Sequence, residues 1–100
     1  MKFSKDESDV MYTILGICQE DPKHIGIDEG SEEFIMLMSI YRRLDKRDDP
    51  KLTKRQKEFL MNLLIEFCES IETEREVYSH WTDEEIGNIK LVIEKIRGVF

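Results

Sequence analysis

Apolar positions along the chain fall into four blocks, and their spacing is mostly that of helix faces. The longest block runs from Leu52 to Glu72. There Phe59, Leu60, Met61, Leu63, Leu64, Ile65, Phe67, Cys68 and Ile71 sweep roughly two-thirds of a helical circumference. Arg55, Glu58, Asn62, Glu66 and Glu69 are left on a narrow polar strip. Such a helix needs neighbours on several sides. At about 1.5–3 kcal/mol per large apolar side chain, its burial supplies on the order of 10 kcal/mol before chain entropy is subtracted. The pattern predicts a central rod with the other helices assembled around it.

Upstream, Ser4 and Glu7 form a capping box, with Asp6, Glu7 and Asp9 at the positive end of the helix dipole. Val10, Met11, Ile14, Leu15, Ile17 and Cys18 then make one stripe, which Asp21-Pro22 ends. Pro22 to Gly30 reads as a loop punctuated by Gly26 and Gly30, with His24, Ile25 and Ile27 folding back as a lid over one end of the core. Ser31 caps a second helix with Glu32 and Glu33 in its first turn. From Phe34 to Tyr41 this block is apolar nearly all round, so a buried strand is a rival reading; its Met and Leu content and the charged tail from Arg42 to Arg47 favour helix. Asp48-Asp49-Pro50 stops it.

Thr53 with Gln56 opens the third helix, and Thr82 with Glu85 opens the fourth. Trp81, before that last cap, stands at hydrophobic-staple spacing from Ile86. The fourth stripe, Ile86, Ile89, Val92, Ile93, Ile96 and Phe100, is narrow. It predicts an outer helix with Lys90, Glu94 and Arg97 in water.

Helices over about 4–20, 31–47, 53–73 and 82–97 predict an all-α chain. The expected architecture is a compact antiparallel four-helix bundle, a single helical domain over 1–100 with a longer loop between helices 1 and 2. At 40% hydrophobic and 37% charged, the chain is more polar than an average globular protein, but its periodic apolar residues argue against disorder. No run approaches the roughly 18–20 apolar residues of a membrane span, and Met-Lys-Phe-Ser-Lys-Asp lacks the apolar core of a signal peptide. A cytoplasmic protein with no membrane partner is expected. Cys18 and Cys68 lie in apolar faces and read as buried, reduced thiols rather than a disulfide or a metal pair.

Charge sharpens the picture. The formal net charge is −7, yet residues 42–58 carry about +4, from Arg42, Arg43, Lys46, Arg47, Lys51, Lys54, Arg55 and Lys57 against four acids. In an up-and-down bundle this turn is one pole. The opposite pole gathers Glu20, Asp21, Asp28, Glu29, Glu32, Glu33, Glu69, Glu72, Glu74, Glu76, Asp83, Glu84 and Glu85, with only Lys23 and Arg75 nearby. Helix dipoles explain part of this sorting, but Lys54, Arg55 and Lys57 at a helix start and Glu69, Glu72 and Glu74 at its end run against the dipole. Charges held against local stability suggest a use, although a solvated face is the commoner meaning of such runs.

Catalytic raw material is thin. His24 and His80 are the only histidines, and Cys18 sits in a core stripe where a thiol is inert. His80 with Asp83 and Glu84, or His24 with Asp28, could be drawn as metal ligands, but neither matches a ligand motif. The expectation is a chain that is not an enzyme, with no cofactor and no metal.

The stretch Leu52-Thr53-Lys54-Arg55-Gln56-Lys57-Glu58-Phe59-Leu60 resembles the opening helix of some bacterial winged-helix and helix-turn-helix domains, where Leu-Thr-x-Arg-Gln-x-Glu begins the unit. That resemblance implies a DNA-associated regulator using Arg42, Arg43, Lys46, Arg47, Lys54 and Arg55. The sequence then departs from the pattern, running on as an apolar rod with no glycine turn or second short helix to enter a groove. Net charge also opposes direct nucleic-acid binding.

A protein-binding module accounts for more of the features. Its candidate contacts are the acids Glu29, Glu32, Glu33, Glu69, Glu72, Glu74, Glu76, Asp83 and Glu84, facing a basic nucleic-acid-handling partner that the chain would inhibit. Ile35, Met36, Met61 and Ile65 form an apolar flank for a partner, or for a homodimer of a structural or assembly protein. In size and composition the chain is similar to small phage or mobile-element inhibitors and bacteriocin immunity proteins.

Overall fold

The computed structural model of the chain describes residues 3–45, 52–74, 76 and 80–98, except the side chain of His24. Helix α1 spans Lys5–Glu20, α2 Glu32–Asp45, α3 Lys54–Thr73 and α4 Asp83–Arg97. No strand occurs among the described residues, and the apolar stretch from Phe34 to Tyr41 lies within α2. Asp48, Asp49 and Pro50, read as the stop for the second helix, lie outside the described residues.

Local chemistry sets the helix starts. The Ser4 hydroxyl accepts the Glu7 amide at 3.2 Å, and the Ser4 amide donates to the Glu7 carboxylate at 2.7 Å. Thr53 with Gln56 and Thr82 with Glu85 repeat the reciprocal pair. Ser31 accepts the Phe34 amide at 3.2 Å. Each arrangement satisfies amides that the first helical turn would otherwise leave without partners.

Between α1 and α2 the expected loop contains structure. Pro22–Ile25 forms a 3-10 turn that ends at Gly26, whose φ of 77° is a left-handed conformation glycine adopts without a Cβ clash. The Ile27 amide donates to the Pro22 carbonyl at 2.9 Å, and the Ile27 side chain is buried in the core. Ile25 packs half-buried against it.

Packing runs from α2 to α1, from α1 to α4 and from α4 to α3, with lighter contact between α2 and α3. These contacts fit a helical bundle. The centre is not α3, as the sequence pattern predicts. Each of α1 and α4 packs closely against two other helices, whereas α3 buries Leu60 and Leu64 mainly against α4 and leaves Phe59, Met61, Ile65 and Phe67 half-buried. A broad apolar face states how much surface a helix offers, not how many neighbours reach it. Nor is α4 peripheral: its narrow stripe is buried between α1 and α3, while Lys90, Glu94 and Arg97 face water as expected. Phe100, placed in that stripe, lies outside the described residues.

Two polar clusters tie the helices laterally. Glu7, nearly fully buried, receives the Lys95 ammonium at 2.6 Å, which joins α1 to α4. The Tyr12 and Tyr41 rings stack at 4.8 Å between centroids; Tyr41 donates to the Tyr12 hydroxyl at 3.2 Å and Tyr12 donates to Asp45 at 2.9 Å.

Candidate functional site

Among the described residues three large apolar side chains face water: Ile17 at 44%, Ile35 at 63% and Leu91 at 54% exposed. Ile17 belongs to the stripe predicted for the core. Helical spacing groups it with Ile14 and Cys18, but it faces an opening at the end of α1. That opening is a cleft of about 680 Å³.

Three stretches remote in sequence line the cleft. The end of α1 and the 3-10 turn supply Ile17, Cys18, Glu20, Asp21 and Ile25. From α3 come Leu63, Glu66, Phe67 and Ser70, and ahead of α4 come His80 and Trp81. Phe67 meets Trp81 edge to face, with centroids 5.5 Å apart and planes at 73°. Ser70 turns its hydroxyl back to the Glu66 carbonyl at 3.0 Å, so its own helix already holds it. Trp81 is 8% exposed, and its indole Nε1 is shut from solvent with no hydrogen-bond partner. A buried donor without an acceptor costs about 1–3 kcal/mol, so this group stands out.

The rim of the cleft is acidic. Glu20, Asp21 and Glu66 are all exposed, and among the described residues no lysine or arginine lines the cavity. Cys18 lies at its wall, 2% exposed, and burial pushes its thiol up to about 11. The group is therefore protonated at neutral pH and is not a nucleophile. Both cysteines are free.

The acids expected at the binding face, Glu29, Glu32, Glu33, Glu69, Glu72, Glu74, Glu76, Asp83 and Glu84, are exposed, but none lines the cleft. The separation of charge into two poles fails at two of them. Arg55 clasps Glu32 with both guanidinium nitrogens, one contact measuring 2.7 Å, and Lys90 meets Glu72 at 2.9 Å. Arg55 lies at the start of α3 and Glu32 at the start of α2. In a tight hairpin the length of α2, about 20 Å, would part them. Here the two helix starts are neighbours, so a base of the expected positive pole neutralises an acid of the negative one. Arg42, Arg43 and Lys54 are exposed, whereas Lys46, Arg47, Lys51 and Arg75 lie outside the described residues.

The apolar flank divides. Met61 and Ile65 pack half-buried against the core, while Ile35 stands in water and Met36 is partly exposed. Glu84 and Glu85 share a shallow depression of about 190 Å³ with Asp6, Asp9, Thr13 and Asn88. Among the described residues no group of three or more His, Cys, Asp or Glu is placed to hold a metal ion, and no helix is long and apolar enough to cross a membrane.

Sequence reasoning names Glu20 and Asp21 among the acids, and Cys18, Leu63 and Phe67 as core, but does not assemble them. The one signal pointing to the cleft is Trp81 beside a capping box. No protein-family model, curated protein or solved structure matches the chain.

Proposed function

We propose that this chain is a single-domain cytosolic binding module that works by engaging a basic surface on another protein, inhibiting a nucleic-acid-handling partner by occupying that surface. It performs no catalysis of its own in this reading. One observation carries the proposal: an apolar cleft of about 680 Å³ whose exposed rim is acidic and, among the described residues, has no lysine or arginine. Apolar lining supplies affinity through removal of surface from water, and the acids select a partner of opposite sign. A net charge of −7 adds long-range attraction that speeds encounter at low salt.

The basic residues give less support to nucleic-acid binding, because Arg55 is committed to Glu32. The test is capture from a lysate of the source cells by the wild-type chain and by a Glu20→Lys, Glu66→Lys double variant, with mass spectrometry naming the captured proteins. The proposal expects a basic protein retained by the first and lost by the second. Equal capture by both chains overturns it.

A further inference from the structure

We infer that the cleft between the end of α1 and the middle of α3 seats a basic amphipathic helix of the partner, an inference that rests on the binding-module reading above. Its apolar ridge lies on Ile17, Phe67 and Trp81, and its lysines or arginines meet Glu20, Asp21 and Glu66.

The lining fixes the chemistry of the occupant. Ile17 keeps 44% of its surface in water at the mouth, and Ile25, Leu63, Phe67 and Trp81 continue the apolar wall inward. Only an apolar ligand recovers that surface from water. The acids at the rim add a requirement for positive charge on either side of the apolar part. A second copy of this chain is a poor occupant, since its net charge of −7 would meet three carboxylates.

The architecture selects the shape. Among the described residues there is no strand, and so no open sheet edge beside the cleft to which an extended peptide could add its backbone. A segment entering an apolar cleft between helices must bring its own backbone hydrogen bonds, and a helix does so. Apolar residues at i, i+4 and i+7 of a helix span about 10 Å along one face, a length suited to a cleft of this volume.

Trp81 lies at the inner wall of the cleft. Its indole N–H is buried without an acceptor in the free chain. That N–H is closed to solvent, so an occupant does not reach it; Trp81 contributes as part of the apolar wall, edge to face with Phe67.

Trp81 is also the only tryptophan, which makes the full chain its own reporter. The probe is a fluorescently labelled 15-residue peptide with leucines at i, i+4 and i+7 on a lysine–alanine background. Two controls keep its length: one moves the leucines to i, i+2 and i+4, and one replaces every lysine with glutamate. The inference expects a saturable change in Trp81 emission and peptide anisotropy with the first peptide, and at least tenfold weaker binding of both controls. Ile17→Lys weakens the first peptide at least tenfold with unchanged circular dichroism, as befits an exposed position, and Glu66→Lys does the same.

Equal binding of the lysine peptide and its permuted control, or no effect of Ile17→Lys, overturns the helix-in-cleft inference. If that equal binding is abolished by the Glu20→Lys, Glu66→Lys chain, the acidic-module reading survives. If no peptide binds while lysate capture still depends on those two acids, the inference alone falls. If capture is also indifferent to them, both fall. Self-association that Ile17→Lys abolishes overturns the inference in favour of a second copy of the chain.

Discussion

The Glu7 carboxylate and the Lys95 ammonium meet at 2.6 Å across 88 residues of sequence, and their surroundings are unequal: the Glu7 side chain is 3% exposed and that of Lys95 42%. The pair closes α1 onto α4 beside Phe3, whose ring centroid lies 6.0 Å from the same ammonium. Removing the two partners therefore has different costs. Lys95→Met keeps the aliphatic stem but leaves a buried carboxylate short of a partner, whereas Glu7→Gln leaves an ammonium whose side chain is already 42% exposed and hydrated. The expectation is a loss of about 2–3 kcal/mol for Lys95→Met and about 1–2 kcal/mol for Glu7→Gln, read from urea unfolding. The reverse order would mean that the carboxylate is solvated.

The same pair gives a pH dependence of known sign. Burial pushes the Glu7 pKa upward, but hydrogen bonds from Lys95 and from Ser4, with the Lys95 charge, outweigh it and hold the group below its ordinary 4.5. A depressed pKa means that the folded chain binds fewer protons than the unfolded chain just below that value. The contribution is thus fully present above about pH 4.5 and lost as pH falls through the folded value. Unfolding midpoints measured from pH 6 to pH 3 should fall less steeply for Glu7→Gln than for the wild type. Parallel curves would remove Glu7 as a source of acid sensitivity.

Two helical glycines predict opposite contributions from space. At Gly87 in α4 an added methyl meets nothing within 4 Å, so Gly87→Ala should stabilise by about 0.5–1 kcal/mol through backbone entropy alone. At Gly16 in α1 the methyl lies 3.4 Å from Cε2 of Tyr41, part of the stack with Tyr12. The same helix gain is there opposed by a close ring, and Gly16→Ala should fall short of Gly87→Ala by some tenths of a kcal/mol. Thermal unfolding of the two variants side by side checks the difference.

What the amino-acid order shows and what it hides divide along a physical line. The Ser4–Glu7, Thr53–Gln56 and Thr82–Glu85 caps are readable because each bond closes within four residues. The stripe from Ile86 to Ile96 is readable because one face of one helix defines it. By contrast, which helices meet is decided by crossing geometry, and that is why α3 reads as the hub while α1 and α4 each pack against two other helices. Ile17 fails for the same reason: its spacing assigns it to an apolar face, but it lines a cleft and stays 44% exposed. The cleft joins residues 17–25, 63–70 and 80–81, so no window along the chain contains it.

Arg55 and Glu32 offer a direct measurement of that hidden geometry. Both side chains are more than half exposed, so their bidentate contact is a weak one, and a double-mutant cycle with alanine should return a coupling of about 0.5–1 kcal/mol. Salt at 0.5 M should remove most of it, because the pair is screened by solvent. A coupling of zero at low salt would show that the contact adds nothing to stability.

Cys18 tests whether the cleft wall is as closed as its packing implies. With the thiol raised from 9.0 to about 11 by burial, its thiolate fraction at pH 8 is on the order of a hundredfold below that of an ordinary cysteine. Alkylation by iodoacetamide should be slowed by at least that factor and should still be accelerating at pH 10. Cys68 is also raised, chiefly by burial and then by the nearby Glu72 charge, so mass spectrometry of the digested protein must score the two sites separately. If a helix seats against the neighbouring Ile17, the lysine–leucine peptide will slow the reaction at Cys18 further while leaving Cys68 on α3 unchanged. Rapid alkylation of Cys18 at pH 7 would show that the wall opens to solvent, and the cleft would then be deeper than the static structure draws it.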